Sequence, residues 1–296
     1  MQSEYLTQEG FLQKADGQAT FTSTLNLIEE KDITGTVMDI KTSTGIFSKE
    51  TGIVVVSAAK GGSGCSFISN SIAAWFARFK SKNVVLLDLN SGKKDTRIIF
   101  NIKDEVIRDL GDVACSFKDI DLSILKKLVI NTESSLNIIL PPLKFEKMEL
   151  LQPENVHDLL DVLMRVFDLV IIDFPYHLLQ LKGFDFLEYS DKFILVSQAD
   201  YISISNLDVL CNNLFVENSP SRVEIIINKY NVKPVISPAR IMNMLKFPVS
   251  AFIPYDNDIE FLYLTRGPFS MFNYNLRIVK VISDFAENIY ASLFQE

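Results

Sequence analysis

The stretch Ile53-Val54-Val55-Val56-Ser57-Ala58-Ala59-Lys60-Gly61-Gly62-Ser63-Gly64-Cys65-Ser66 decides how the rest of the chain is read. Its first four residues form a continuous β-branched run, the pattern of a strand buried on both faces of a parallel sheet. Lys60-Gly61-Gly62-Ser63-Gly64-Cys65-Ser66 follows, and then apolar residues recur at helical spacing over Phe67–Phe79. A glycine-rich turn between a strand and a helix N-terminus lets backbone N–H groups surround a phosphate, and the helix dipole favours the negative charge. The glycines supply backbone angles and a close approach that a Cβ would block. Ser66 stands where a hydroxyl would ligate Mg²⁺. The plainer alternative, an ordinary glycine turn before a helix, is outweighed by what lies downstream.

Downstream the same strand pattern recurs at Val84–Leu87, Leu136–Leu140, Leu169–Ile172, Phe193–Val196, Val223–Ile227 and Val249–Ile253. Helical spacing fills the intervals over Val156–Phe167, Ile204–Phe215, Pro238–Leu245 and Leu276–Leu293. Alternation of this kind predicts right-handed crossovers and an α/β fold: a mostly parallel twisted sheet with helices on both faces, as in P-loop NTPases. Residues 1–50 differ, with four basic and eight acidic residues and one strand-like piece, Thr36–Ile40. They read as an N-terminal appendage or linker, and 51–296 as the principal domain.

Composition sets limits. The 296 residues are 48% apolar and 22% charged, which excludes disorder over the whole length. No apolar run reaches the ~18–20 residues of a membrane span, and the polar, acidic start is unlike a secretory signal. Three cysteines (Cys65, Cys115, Cys211) and two histidines (His157, His177) show no metal-ligand spacing. These features read as a reduced, cytoplasmic protein. A net charge of -8 argues against nucleic acid as the main partner, because phosphate neutralisation by basic residues drives such binding. The densest basic cluster is Lys93-Lys94 followed by Arg97.

The glycine loop departs from G-x-x-x-x-G-K-[ST] at two places, with Ala59 for the first glycine and Cys65 for the lysine. A neutral thiol is a weak donor without charge. Each charge-assisted hydrogen bond lost is worth about 1.5–3 kcal/mol, so the cradle keeps its backbone and lacks its main cation. A thiol at a helix N-terminus can have a lowered pKa, but a thiolate would repel phosphate. The reading is a neutral, space-filling Cys65.

Lys60-Gly61-Gly62-Ser63-Gly64-Cys65-Ser66 resembles the deviant phosphate loop K-G-G-x-G-K-[ST] of the MinD/ParA family. Val84-Val85-Leu86-Leu87-Asp88-Leu89-Asn90 resembles that family's second strand, and Leu169-Val170-Ile171-Ile172-Asp173-Phe174-Pro175 its Walker B strand. Ile225-Ile226-Ile227-Asn228-Lys229 and Phe252-Ile253-Pro254-Tyr255-Asp256 resemble the segments that flank adenine. The resemblance implies ATP or ADP with Mg²⁺ as ligand. Lys60, Gly61, Gly62, Ser63, Gly64, Cys65, Ser66, Asn228, Pro254 and Asp256 would then contact nucleotide, with Ser66, Asp88 and Asp173 on the metal side. It also implies a nucleotide-closed homodimer in which Lys60 crosses to the partner's phosphates.

Phe174-Pro175 after the Walker B aspartate, and Thr265-Arg266-Gly267-Pro268-Phe269 near the end, look like the CpaE/TadZ branch, which places type IV (Flp/Tad) pilus machinery at a cell pole. Members usually carry a receiver-like domain first, and fifty residues are too few for one. In active relatives the second acidic residue of D-x-D positions the attacking water; here it is Asn90, with Asp95 a nearby turn residue. Altered together, Cys65 and Asn90 read as a degenerate site with weak or absent hydrolysis. The amphipathic stretch Leu276–Glu296 is too acidic to suit anionic lipid and reads as packed on the sheet. Of Phe261, Leu262, Tyr263, Phe269, Phe272 and Tyr274, most are expected in the core, the rest being available to a dimer. The competing reading is an active ATPase that partitions or positions DNA, flagella or division machinery. A cytoplasmic tyrosine kinase on the same loop is disfavoured because no tyrosine cluster ends the chain.

Overall fold

The computed structural model describes residues 51–103, 108–113, 117–132, 135–180, 190–214, 222–232 and 236–295. Residues 1–50, with the strand-like Thr36–Ile40, lie outside these, as does Cys115. Eight strands form one sheet in the order β3-β4-β2-β5-β1-β6-β7-β8. They are β1 (Gly52–Ala58), β2 (Val84–Asp88), β3 (Ile130–Asn131), β4 (Leu136–Ile139), β5 (Leu169–Asp173), β6 (Lys192–Gln198), β7 (Val223–Asn228) and β8 (Val249–Ile253). Every pairing is parallel except β3 with β4. The seven apolar runs read from the sequence are the seven parallel members. The antiparallel edge strand β3 is two residues long, too short to leave a pattern.

The helices are α1 (Cys65–Phe79), α2 (Asp95–Ile99), α3 (Leu122–Leu128), α4 (Pro153–Leu163), α5 (Tyr201–Leu214), α6 (Pro238–Met244), α7 (Asn257–Arg266), α8 (Pro268–Met271) and α9 (Arg277–Phe294). Alternate residues of the central strands, such as Val54, Val56, Leu86, Ile171 and Ile194, share one core with Ile72 and Phe76 of α1 and with Ile282, Phe285 and Ile289 of α9. The residues between them, such as Val55, Leu87, Ile172 and Leu195, are equally buried and point to the opposite face. The apolar stripe of α9 is therefore spent on the sheet layer. Among the described residues no helix is long and apolar enough to cross a membrane.

Of the late apolar residues, Tyr263 is buried and Leu262, Phe269 and Phe272 pack against the core, whereas Phe261 and Tyr274 are exposed. The same topology sets out the site. Strands β1, β2, β5, β7 and β8 all run parallel, so their carboxyl ends, where an open α/β sheet binds its ligands, lie on one edge.

Candidate functional site

The loop leaving β1 turns through two left-handed glycines, Gly62 at φ +80° and Gly64 at φ +95°, and Gly64 is the residue that opens α1. Ser63 Oγ donates to Lys60 O at 2.9 Å and closes the turn on itself. Two side chains from other strands then hold its backbone. Gln198 Nε2, at the end of β6, donates to Gly62 O at 2.9 Å, and Asn228 Nδ2, at the end of β7, donates to Ser63 O at 3.0 Å. A Cβ on Gly64 would lie 2.2 Å from Asn228 Nδ2, so this glycine is demanded by contact as well as by backbone angle.

Cys65 takes the first position of α1. Its Sγ lies 3.2 Å from both Val56 O and Asp173 Oδ1, and its single proton serves the two acceptors in turn. Burial, and next the negative charge of Asp173, push the thiol well above its ordinary value, so it stays protonated. The thiol is a donor to the Asp173 carboxylate, a more specific role than filling space.

Asp88 and Asp173 are register neighbours on β2 and β5, both buried. Asp88 Oδ1 accepts from Asn90 N at 2.8 Å and Asn90 Nδ2 at 2.9 Å, and its Oδ2 accepts from Thr96 Oγ1 at 2.6 Å. Burial, reinforced by Asp173, still raises Asp88 to about 7. Asp173 is also raised, by burial, although the neighbouring Ser66 hydroxyl and the Cys65 thiol favour its charged form. Its Oδ2 is buried without a hydrogen-bond partner. An orphaned carboxylate oxygen beside a second carboxylate and a hydroxyl is a donor set of the kind a hard, oxygen-loving cation takes. The residues thus fit Mg²⁺.

Asn228, Pro254 and Asp256 line a cavity of about 210 Å³ together with Gly64, Tyr255 and Tyr263. The structure gives two of them further tasks. The Asn228 amide is turned to the loop, and its Oδ1 accepts from Lys229 N at 3.0 Å. Asp256 Oδ1 caps α7 by accepting from Asp258 N and Ile259 N at 3.0 and 3.1 Å. Lys60 Nζ lies 3.7 Å from Asp200 Oδ2 on the same chain. Asp95 is the exposed first residue of α2.

Sequence reasoning thus assembled the loop, Asp88, Asn90 and Asp173 in one place and the Asn228, Pro254 and Asp256 group beside it. It missed Thr96, Gln198 and Asp200. Gln198 carried a weak signal, as a polar residue at the carboxyl end of a buried strand, and Asp200 as a helix-capping type three residues before Ser203.

A family model described as an AAA domain (AAA_31) matches residues 51–227. The septum site-determining protein MinD of Thermotoga maritima is 24% identical over 246 residues, 80% of this chain and 87% of that protein. A ParA family ATPase from Chlorobium tepidum superposes with a TM-score of 0.69 at 25% identity, covering 81% of this chain and 99% of that one. MinD of Pyrococcus horikoshii complexed with Mg-ADP superposes with a TM-score of 0.66 at 19% identity, covering 81% and 96%.

Proposed function

The chain belongs to the MinD/ParA-type AAA-domain family of P-loop ATPases, and we propose that within it this protein binds ATP or ADP with Mg²⁺ while hydrolysing slowly or not at all. One observation carries the reading. The position of the loop lysine holds a protonated thiol bonded to Asp173, and the position of the second carboxylate holds an amide bonded to Asp88. The cradle keeps its backbone without its loop cation, and the group that would orient an attacking water is an amide donor.

In this reading the backbone of Gly61–Cys65 receives the polyphosphate at the start of α1, held in shape by Gln198 and Asn228. Ser66, Asp88 and Asp173 would hold Mg²⁺, which when bound neutralises charge on the phosphate oxygens. The base enters the cavity of Asn228, Pro254 and Asp256. Asn90 cannot take a proton from water as a carboxylate can, so bound nucleotide acts as a conformational signal more than a consumed substrate.

We assign such a protein to localisation or assembly: a cytoplasmic homodimer recruited to a cell pole or inner-membrane assembly, with components of a type IV (Flp/Tad) pilus or secretion machinery as partners, as the CpaE/TadZ resemblance implies. Phosphate release with MgATP, alone and with DNA or anionic vesicles, tests the assignment. Negligible turnover in every arm is expected. Turnover that rises with DNA or lipid would instead support a cycling partition or positioning ATPase, a reading with which the likeness to MinD and ParA proteins is equally consistent.

A further inference from the structure

The site has a charge imbalance of its own. Two buried carboxylates stand side by side on β2 and β5, and the loop residue between them and the phosphates is uncharged. A polyphosphate adds negative charge at that point, so tight binding requires a cation from another element. Two basic groups nearby are engaged elsewhere. Lys60 is paired with Asp200 at 3.7 Å, and the buried Arg97 reaches back to Asp109 Oδ2 at 2.8 Å.

The turn between β2 and α2 offers a third. Asn90–Thr96 is clasped onto Asp88 at both ends, by Asn90 on Oδ1 and by Thr96 Oγ1 on Oδ2. Its middle is also fixed. Gly92 N donates to Pro142 O at 3.0 Å, and a Cβ at this left-handed glycine (φ +72°) would lie 2.5 Å from the Phe145 ring. A turn fastened at three points is preorganised, and Lys93 and Lys94 stand exposed on it. Asp88, onto which the turn is clasped, is the register neighbour of Asp173, whose Oδ1 meets the Cys65 thiol at 3.2 Å, so the turn is anchored beside the phosphate loop. The flexible stem of Lys93 lets the ammonium swing onto an arriving phosphate.

We propose that Lys93, presented by the clasped β2–α2 turn, supplies in cis the positive charge that the phosphate loop lacks at position 65. The inference rests on the nucleotide-binding reading above and adds to it a specific electrostatic partner for the polyphosphate. Because Asp88 fastens the turn, the residue on the metal side also positions the cation.

Titration calorimetry of MgATP into wild type, Lys93→Gln, Lys93→Arg, Lys94→Gln, Cys65→Lys and the double variant Cys65→Lys/Lys93→Gln tests this. Lys93→Gln should weaken binding by about tenfold to a hundredfold, the value of one charge-assisted contact, and Lys93→Arg should retain most of the affinity. Lys94→Gln should change it less than about threefold, as for a neighbouring charge screened by solvent. The double variant should recover what Lys93→Gln loses. Melting without nucleotide should be the same for wild type and Lys93→Gln, which separates ligand contact from a structural role. Equal affinity of wild type and Lys93→Gln, or equal losses at 93 and 94, would overturn the proposal. Binding by Cys65→Lys alone, with wild type silent, would overturn it and leave the cradle standing; silence from both would remove the nucleotide reading as well.

Discussion

Cys65→Lys is the substitution whose outcome the geometry sets most directly. The Sγ it replaces lies 3.2 Å from Asp173 Oδ1. An ammonium at ~4 Å from a carboxylate gains about 4 kcal/mol at an effective dielectric near 20, against a desolvation cost of several kcal/mol for the buried ion. The two nearly cancel, so the stability of the ligand-free protein should change little. Binding is different, because the new cation meets phosphates that the neutral thiol cannot attract. One restored charge-assisted contact contributes about 1.5–3 kcal/mol, and calorimetry with MgATP should show a gain of about tenfold to a hundredfold. Phosphate release should stay low. Asn90→Asp alone should be destabilising by about 1–3 kcal/mol, because it replaces a donor 2.9 Å from Asp88 Oδ1 with a third carboxylate. Turnover should become measurable only when the two changes are combined, the cation offsetting the added charge. Brisk hydrolysis by the unmodified protein, or no gain in affinity with Cys65→Lys, would refute the reasoning.

The remaining expectations concern stability and assembly. Asp88 is held at about 7 in the folded protein against an ordinary value of 3.8, so its stabilising contribution is full below pH ~4 and is lost as pH rises toward 7. Denaturant unfolding should show wild type losing up to about 1.4 kcal/mol per pH unit relative to Asp88→Asn across that window; parallel profiles would contradict the assigned burial and pairing. Gly64→Ala should cost about 2–4 kcal/mol from left-handed strain and loss of the Asn228–Ser63 bond, and an unchanged urea midpoint would mean that the loop relaxes freely. In sedimentation without nucleotide a dimer is expected at micromolar concentration, and a clean monomer would count against protein contacts such as exposed Phe261 contributing to it.

How far the sequence could be read depended on the range of the forces involved. Strands β1, β2, β4, β5, β6, β7 and β8 announced themselves because burial on both faces selects unbroken apolar runs. Strand β3 did not, since two residues carry no period. The phosphate loop was legible from glycines placed between a strand and a helix, a local signal. The tasks of Asn228 and Asp256 were not, because each depends on which way a side chain turns once distant segments meet. Asn228 lies 165 residues from the carbonyl it holds. Asp256 read as part of a base-binding loop, yet it is equally an N-cap, a choice that the following Asn257-Asp258-Ile259 could have indicated. The thiol of Cys65 was read as neutral filler, and the carboxylate acceptor that β5 brings to it, beside the Val56 carbonyl of β1, left no trace in the sequence.

The side-by-side placement of Asp88 and Asp173 has a consequence for bookkeeping of protons. With Asp88 held at about 7, the resting protein near neutrality carries a proton on this pair for much of the time. That proton is the site's own counterion. On the nucleotide-binding reading proposed above, an entering divalent cation would displace it, so uptake of Mg²⁺ with a nucleotide would exchange one positive species for another. The heat of binding will then vary with the ionisation enthalpy of the buffer, and affinity will fall as the medium acidifies through pH 7. A cell compartment or membrane surface a few tenths of a pH unit more acidic than its surroundings would weaken the hold on nucleotide with no change in any other contact.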